Sequence, residues 1–295
     1  MTSPAPPVVL VIGLQKSGTS LLLRLLSDTP LFRNPFRFEG KELWGDDPPF
    51  APAGFPAGIP YQREGGERGH ELGAADATPE VVEHFRGALA AEARPGKALV
   101  LKNPYNTVRV PWLRAALPDA RIVAVVRRPL PNVFSLLKKH VENPHTNRGP
   151  EEGWWGVKPA GWRGLLGTDK VAQCARQWER VNARLWADRD EVDLLVPYHE
   201  LCDAPAAHLA RIGELTLGRT PPGEPPELET LDDEHERGGA LESANRVYRR
   251  TGSLELAGAE RDEARLGPLT TEQRRMVEEI CGALAETMGM AGAAP

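Results

Sequence analysis

The sequence predicts an α/β fold of three layers, in which helices flank a central parallel sheet and loop-rich insertions lie at its edge. Short apolar, β-branched runs alternate with helical segments, and each run is continuously hydrophobic, as strands buried on both faces are. Crossovers between such strands are right-handed, and ligands are therefore expected at the carboxyl ends of the strands. The predicted strands span residues 8–12, 98–101, 121–126 and 192–196.

Helical periodicity fills the segments between the strands, and one helix has Pro79 at its first position, where proline is favoured. The predicted helices span residues 20–26, 79–93, 108–117, 130–141, 169–190, 205–217 and 270–288. Two stretches, 45–78 and 142–168, lack periodicity and are long enough to be functional insertions. We expect a single domain over 1–295, with the ligand-binding core at 8–141 and a helical C-terminal part at 169–295.

The bulk composition limits the partners that the protein can have. The 295 residues are 41% hydrophobic and 26% charged, as in ordinary globular proteins. The net charge of −5 argues against nucleic acid as a partner, so an anionic ligand needs a local cluster of cations. The apolar run Val8–Leu14 is too short for a signal peptide or a membrane span. Abundant Ala, Gly, Pro and Arg suggest a bacterial gene.

The cysteines indicate a reducing location. Cys174, Cys202 and Cys281 are odd in number and far apart, which suits neither a closed disulfide framework nor a metal site. We expect free thiols in or near the core of a cytoplasmic protein.

A glycine loop joins the first strand to the first helix. Gly13–Ser20 (GLQKSGTS) has the Gly-x4-Gly frame of a P-loop in its strand–loop–helix context. Such a loop points backbone N–H groups at an anion, with a helix N-terminus behind it. A metal-dependent phosphotransferase also needs a lysine where Thr19 stands, and an Mg²⁺-binding aspartate where the third predicted strand ends at Arg127. The loop therefore predicts a P-loop-like fold that binds phosphates through Lys and Arg without metal.

Four segments in succession resemble motifs of the sulfotransferases that use PAPS (3′-phosphoadenosine 5′-phosphosulfate). Gly13–Leu22 resembles the family's loop for the 5′-phosphosulfate, and the spacing of Arg127 and Ser135 matches its 3′-phosphate site. Glu42-Leu43-Trp44 resembles the segment that carries the base in heparan-type members. Lys102-Asn103-Pro104-Tyr105 resembles a Lys-x-Pro-x-Tyr segment near the transferred group, with proline where cytosolic members have histidine.

The resemblance implies sulfuryl transfer from PAPS to a hydroxyl of a small-molecule acceptor, with release of PAP (adenosine 3′,5′-bisphosphate) and no metal. The base would be Glu42, and the cations at the transferred group Lys16 and Lys102. The donor would be held by Lys16, Ser17, Gly18, Thr19, Ser20, Arg127 and Ser135, with Arg249 and Arg250 in a loop that closes over it.

Several alternatives stay open at this stage. Glu39 is the rival base. Trp154, Trp155 and Trp162 either line an acceptor pocket or form the core of their own insertion. His70 and His145 are expected to be solvated. A metal-dependent P-loop kinase and a non-catalytic nucleotide-binding protein are the alternative functions, and neither the acceptor nor the oligomeric state follows from the sequence.

Overall fold

Five parallel strands form one sheet in the order β2-β3-β1-β4-β5. The computed structural model of the protein describes residues 6–36, 40–44, 68–142, 153–221 and 269–290. The strands are β1 (Val8–Ile12), β2 (Phe32–Arg33), β3 (Ala98–Lys102), β4 (Arg121–Val126) and β5 (Leu194–Pro197). The predicted α/β fold with a central parallel sheet is confirmed, and β2 is an additional edge strand that is too short for a periodicity signal.

Helices cover both faces of the sheet. They are α1 (Thr19–Ser27), α2 (Lys41–Trp44), α3 (Pro79–Ala91), α4 (Val110–Ala116), α5 (Pro129–Glu142), α6 (Lys170–Ala187), α7 (Tyr198–Asp203), α8 (Pro205–Leu217) and α9 (Thr271–Thr287). Every predicted helix is confirmed to within a few residues. Among the α-helices of the described residues, α2 and α7 were not predicted, because they are too short to show a helical repeat.

Local chemistry fixes where the long helices begin. Asp169 precedes α6, and its carboxylate accepts hydrogen bonds from the first free backbone N–H groups, at 2.9 and 3.1 Å. Thr270 precedes α9 in a capping box with Gln273, in which each side chain accepts from the other residue's N–H. These caps satisfy donors that the helix itself leaves unpaired.

The central strand β1 is buried along its whole length and divides the core in two. Leu10 and Ile12 face a cluster that includes α3, α4, α5, α6 and α9, while Val9 and Val11 face a cluster formed with α1, α7 and α8. This alternation follows from the two-residue repeat of a strand. Because both faces are covered, β1 has to be apolar throughout.

The three cysteines are confirmed as free and buried. Burial raises the pKa of the Cys174 thiol to about 12, because a thiolate would lose its hydration there. Burial raises the pKa of Cys281 in the same way. Within the ranges that the structure describes, no helix combines the length and the apolar character needed to cross a membrane.

Truncating the central strand should destabilise the whole domain. Leu10 is fully buried, so Leu10→Ala should lower the free energy of unfolding by about 2–5 kcal/mol through lost burial and an unfilled cavity. The matched control is Leu21→Ala, because Leu21 is only partly buried on α1. Urea denaturation of both variants gives the comparison, and equal losses would contradict a core centred on β1.

Candidate active site

The C-terminal ends of the neighbouring strands β1, β3 and β4 lie side by side, and the edge of the sheet that they form is called the carboxyl edge. In the parallel register Val11 lies beside Lys102 on one side and Val123 on the other. The residues that follow β1 and β4, and Lys102 at the end of β3, therefore gather at the same edge. This is the edge at which open α/β sheets bind ligands.

The glycine loop fits against its neighbours so closely that two of its positions exclude a side chain. A Cβ at Gly13 would lie 2.3 Å from the Val125 carbonyl oxygen, and a Cβ at Gly18 would lie 2.3 Å from the ring of Tyr198. Both glycines have positive φ, at 144° and 107°. The Gly13 N–H donates to the Thr107 hydroxyl at 2.8 Å, which ties the loop to the segment after β3.

Lys16 has a backbone conformation that lysine rarely adopts. Its φ is 67°, and no other non-glycine residue in the described ranges has a positive φ. Its carbonyl oxygen accepts a hydrogen bond from Nη1 of Arg127 at 3.0 Å. Its ammonium Nζ lies 5.9 Å from the ring centroid of Trp155. These contacts hold the loop lysine over the carboxyl edge of β1.

Arg127 lies next to Ser135, the residue eight positions later with which the sequence analysis paired it. Only 4% of Arg127 is exposed, and its Nη1 lies 3.5 Å from the Ser135 hydroxyl on α5. The guanidinium also lies 4.5 Å from the ring centroid of Tyr198, a cation–π contact. The Arg127 carbonyl accepts from the indole N–H of Trp178 at 3.1 Å. The side chain is thus fixed between the glycine loop, α5 and α7.

Several buried polar atoms in and beside the loop have no hydrogen-bond partner within the described part of the chain. Among them are both amide atoms of Gln15, Oγ of Ser17 and Oδ1 of Asn132. Asn132 uses its Nδ2 to donate to the Gln15 carbonyl at 3.0 Å, so its orientation is set by the loop. A buried hydroxyl without a partner is costly, and an anion held by the loop would accept from Ser17. Thr19 is buried next to it, whereas Ser20 is exposed on α1.

Lys102 is the last residue of β3 and is only 5% exposed. After it, the Asn103 side chain accepts from the Tyr105 N–H at 2.9 Å and begins a short 3₁₀ helix over Pro104–Val108. The Asn103 N–H donates to the Val11 carbonyl at 3.3 Å, so this turn stays attached to β1. The structure therefore brings Lys102 to the same edge as the glycine loop.

The expectation that His70 is solvated is wrong. His70 is 1% exposed and stacks on Tyr105 with ring centroids 3.9 Å apart. Its Nδ1 accepts from the Lys158 backbone N–H at 2.8 Å, and the backbone N–H of His70 donates to the Lys158 carbonyl at 2.7 Å. The ring is buried because it fastens the end of one insertion to the other. His145 lies outside the described residues.

The helix α2 carries Glu42, whose side chain lies outside the described part of the structure. The helix itself is anchored by Trp44, which packs against Phe85 at 5.1 Å and Trp112 at 6.1 Å between ring centroids. The rival base, Glu39, lies outside the described residues, as do Arg249 and Arg250. The roles predicted for these residues stay predictions.

The tryptophans of the second insertion divide into two roles. Trp154 and Trp162 are buried against each other, with ring centroids 5.6 Å apart in an edge-to-face arrangement. Trp155 is only partly buried and lies beside Lys16. The insertion therefore has a core of its own, and one tryptophan is left at the site.

Sequence analysis missed Tyr198, Thr107 and Asn132. Tyr198 directly follows β5, so its place at a strand's carboxyl end was a signal that could have found it. Thr107 and Asn132 lie within a 3₁₀ helix and α5, and no pattern in the sequence marks their contacts with the loop. Within the described ranges, no three His, Cys, Asp or Glu residues are placed to hold a metal ion.

Comparison with known proteins places the chain among sulfotransferases. Residues 7–217 match the model of the sulfotransferase family. The sulfotransferase STF1 from Mycobacterium tuberculosis H37Rv is 22% identical, over 95% of this chain and 77% of that one, with a TM-score of 0.45. The sulfotransferase domain from the curacin biosynthetic pathway is 16% identical, over 96% and 99%, with a TM-score of 0.49. No protein with a curated description matches.

Gly18→Ala should destabilise the protein although it adds a single methyl group. The new Cβ would meet the Tyr198 ring and hold φ at a value unfavourable for alanine, at a cost of about 1–3 kcal/mol. Gly282→Ala is the matched control, because that position on α9 has open space. There alanine should add about 0.5–1 kcal/mol of stability by favouring the helix. Chemical denaturation measures both, and a neutral Gly18→Ala would contradict the close packing of the loop on Tyr198.

Proposed function

The chain belongs to the sulfotransferase family and is a transferase of sulfuryl groups, and we propose that its donor is PAPS and its acceptor a hydroxyl of a small molecule. One observation carries the choice of donor. Arg127 contacts Ser135 and, through the same nitrogen, the carbonyl of Lys16 in the glycine loop. A 3′-phosphate at this pair and a 5′-phosphosulfate at the loop belong to one nucleotide, and the 3′-phosphate is a group that ATP lacks.

The donor-binding residues fit an anion with phosphates at both ends. Backbone N–H groups of the loop and the N-terminus of α1 favour the 5′-phosphosulfate, with Ser17, Thr19 and Ser20 adding hydroxyl groups. The unpartnered Ser17 hydroxyl supports this fit. We propose that Arg127 and Ser135 bind the 3′-phosphate, and that Arg249 and Arg250, which lie outside the described residues, contribute further contacts to it. A buried, fixed guanidinium suits phosphate better than a flexible surface charge does.

The proposed reaction assigns roles to the two lysines, Lys16 and Lys102. When bound, the donor supplies a sulfuryl group whose bond to the 5′-phosphate oxygen breaks as the acceptor oxygen bonds to sulfur. Lys16, on the loop, and Lys102, at the end of β3, neutralise the negative charge that develops on the sulfuryl oxygens and on the leaving phosphate. Because both are held before the reaction, they need little reorganisation as the charge develops.

The general base is Glu42, which takes the proton of the acceptor hydroxyl as its oxygen attacks sulfur. Support comes from the anchoring of α2, since Leu43 and Trp44 are buried in the core and fix the backbone that carries the carboxylate. A carboxylate serves as a base here when its surroundings bring its pKa towards the working pH. Glu39, three residues earlier in the sequence, is the alternative general base.

Binding of PAP tests the donor assignment without any knowledge of the acceptor. Calorimetric titration in EDTA should show PAP binding to the wild type. Arg127→Ala should weaken it at least about 30-fold, because about 2 kcal/mol or more is lost with a buried charged contact. Arg275→Ala is the matched control, since Arg275 on α9 is exposed and should leave binding unchanged. ATP binding that requires Mg²⁺, with no PAP binding, would overturn the donor and favour a phosphotransferase.

Turnover should separate the residues that bind from those that act on the transferred group. Lys16→Ala should lower the rate of PAP formation from PAPS about 10²–10³-fold, as for loss of one preorganised donor. Glu42→Gln should lower it about 10²–10⁴-fold while PAP affinity stays near that of the wild type. The control is Glu39→Gln. If that variant loses turnover and Glu42→Gln keeps it, the base is Glu39.

A further inference from the structure

Residues 153–158 (GWWGVK), here called the tryptophan segment, are held rigidly by α6. The Gln177 side chain donates from Nε2 to the carbonyls of Trp155 and Val157, at 2.9 Å each. One turn earlier on the same helix, Gln173 donates to the Gly153 carbonyl at 2.6 Å. An irregular segment with its carbonyls bonded to buried amides has a defined position relative to the sheet.

The tryptophan segment crosses the carboxyl ends of two strands. At one end, Lys158 bonds through its backbone to His70, which stacks on Tyr105, three residues after Lys102 of β3. At the other end it meets the glycine loop after β1. There a Cβ at Gly156 would lie 1.1 Å from Nε2 of Gln15, so the Gln15 side chain fills the space that a non-glycine residue would need. The segment therefore connects the loop with the neighbourhood of Lys102.

The two adjacent tryptophans of this segment have opposite surroundings. Trp154 is buried with Trp162 and donates its indole N–H to the Val157 carbonyl at 3.1 Å. Trp155 is only partly buried, packs with one side against the core, and has its ring centroid 5.9 Å from the Lys16 ammonium. Gly153 and Gly156, with φ of 87° and 86°, provide the turns on either side. A partly buried indole beside Lys16, at the carboxyl edge of the sheet, is in a position to contact a bound ligand.

We infer that Trp155 is the aromatic wall of the acceptor site and that the acceptor carries its hydroxyl on a flat, apolar ring, as a phenol does. This inference rests on the proposed function, which puts the transferred group beside Lys16. Trp155 lies next to the side chain of Lys16, whereas the 3′-phosphate residues Arg127 and Ser135 mark the nucleoside end of the donor. The ring therefore faces the sulfuryl end, where the acceptor oxygen has to arrive. A ring stacked on Trp155 would point its hydroxyl at that end.

The test uses the complex of the protein with PAP, which leaves the acceptor place open and needs no turnover. The probes are 2-naphthol and glucose, and binding to the PAP-saturated protein is measured by calorimetry in EDTA. The wild type should bind 2-naphthol and not glucose. Trp155→Ala should weaken 2-naphthol about tenfold or more, while Trp155→Phe, which keeps a flat ring, stays within about threefold of the wild type. Trp186→Ala on α6 is the matched control and should change nothing.

Each other outcome has a distinct meaning. No PAP binding to the wild type would remove the proposed donor and this inference with it. PAP binding with no 2-naphthol binding, or with equal 2-naphthol binding in Trp155→Ala, would overturn the inference alone. A tenfold loss of PAP affinity in Trp155→Ala would also overturn it and assign the ring to the donor. If the alanine variant does not fold, Trp155→Leu replaces it, because leucine keeps apolar bulk without a flat face, and undiminished 2-naphthol binding there would overturn the inference.

Discussion

The hydrogen bond from Arg127 to the carbonyl of Lys16 holds the active edge together. A left-handed backbone costs a residue such as lysine roughly 1–2 kcal/mol. A hydrogen bond from a charged donor contributes about 1.5–3 kcal/mol, so this one bond is large enough to offset the strain. Because the same guanidinium contacts Ser135 and the ring of Tyr198, the shape of the loop and the position of the Arg127–Ser135 pair are set together.

The carboxyl edge of the sheet also carries buried cations. Lys102 and Arg127 are almost fully buried in a protein whose net charge is negative, and a buried charge without compensation would cost several kcal/mol. Carbonyl oxygens and aromatic faces provide part of that compensation around Arg127. An anionic donor would provide more, and the same burial would make its contacts stronger than they are in water.

The described ends of the two insertions, residues 68–78 and 153–168, are joined by hydrogen bonds although they are far apart in the chain. His70 makes hydrogen bonds with both the backbone N–H and the carbonyl of Lys158. The side chain of Gln15 occupies the space that a Cβ at Gly156 would need. Trp154 and Trp162 give the second insertion its own core, which leaves Trp155 to contact the ligand side. Specificity for the acceptor would then depend on a segment fixed by α6 rather than on the glycine loop.

The sequence by itself determined four of the five strands of the sheet, its long helices, and Lys102 and Arg127 at the ends of β3 and β4. Continuous apolar runs such as Val8–Ile12 leave few alternatives, and Arg127 and Ser135 belong to one local strand–helix unit whose spacing fixes their approach. Other features depend on long-range contacts, and only the tertiary structure decided them. These are the burial of His70, the contact of Tyr198 with Gly18 and the different surroundings of adjacent Trp154 and Trp155. Each depends on contacts between segments that are distant in the sequence, so no local periodicity predicts it.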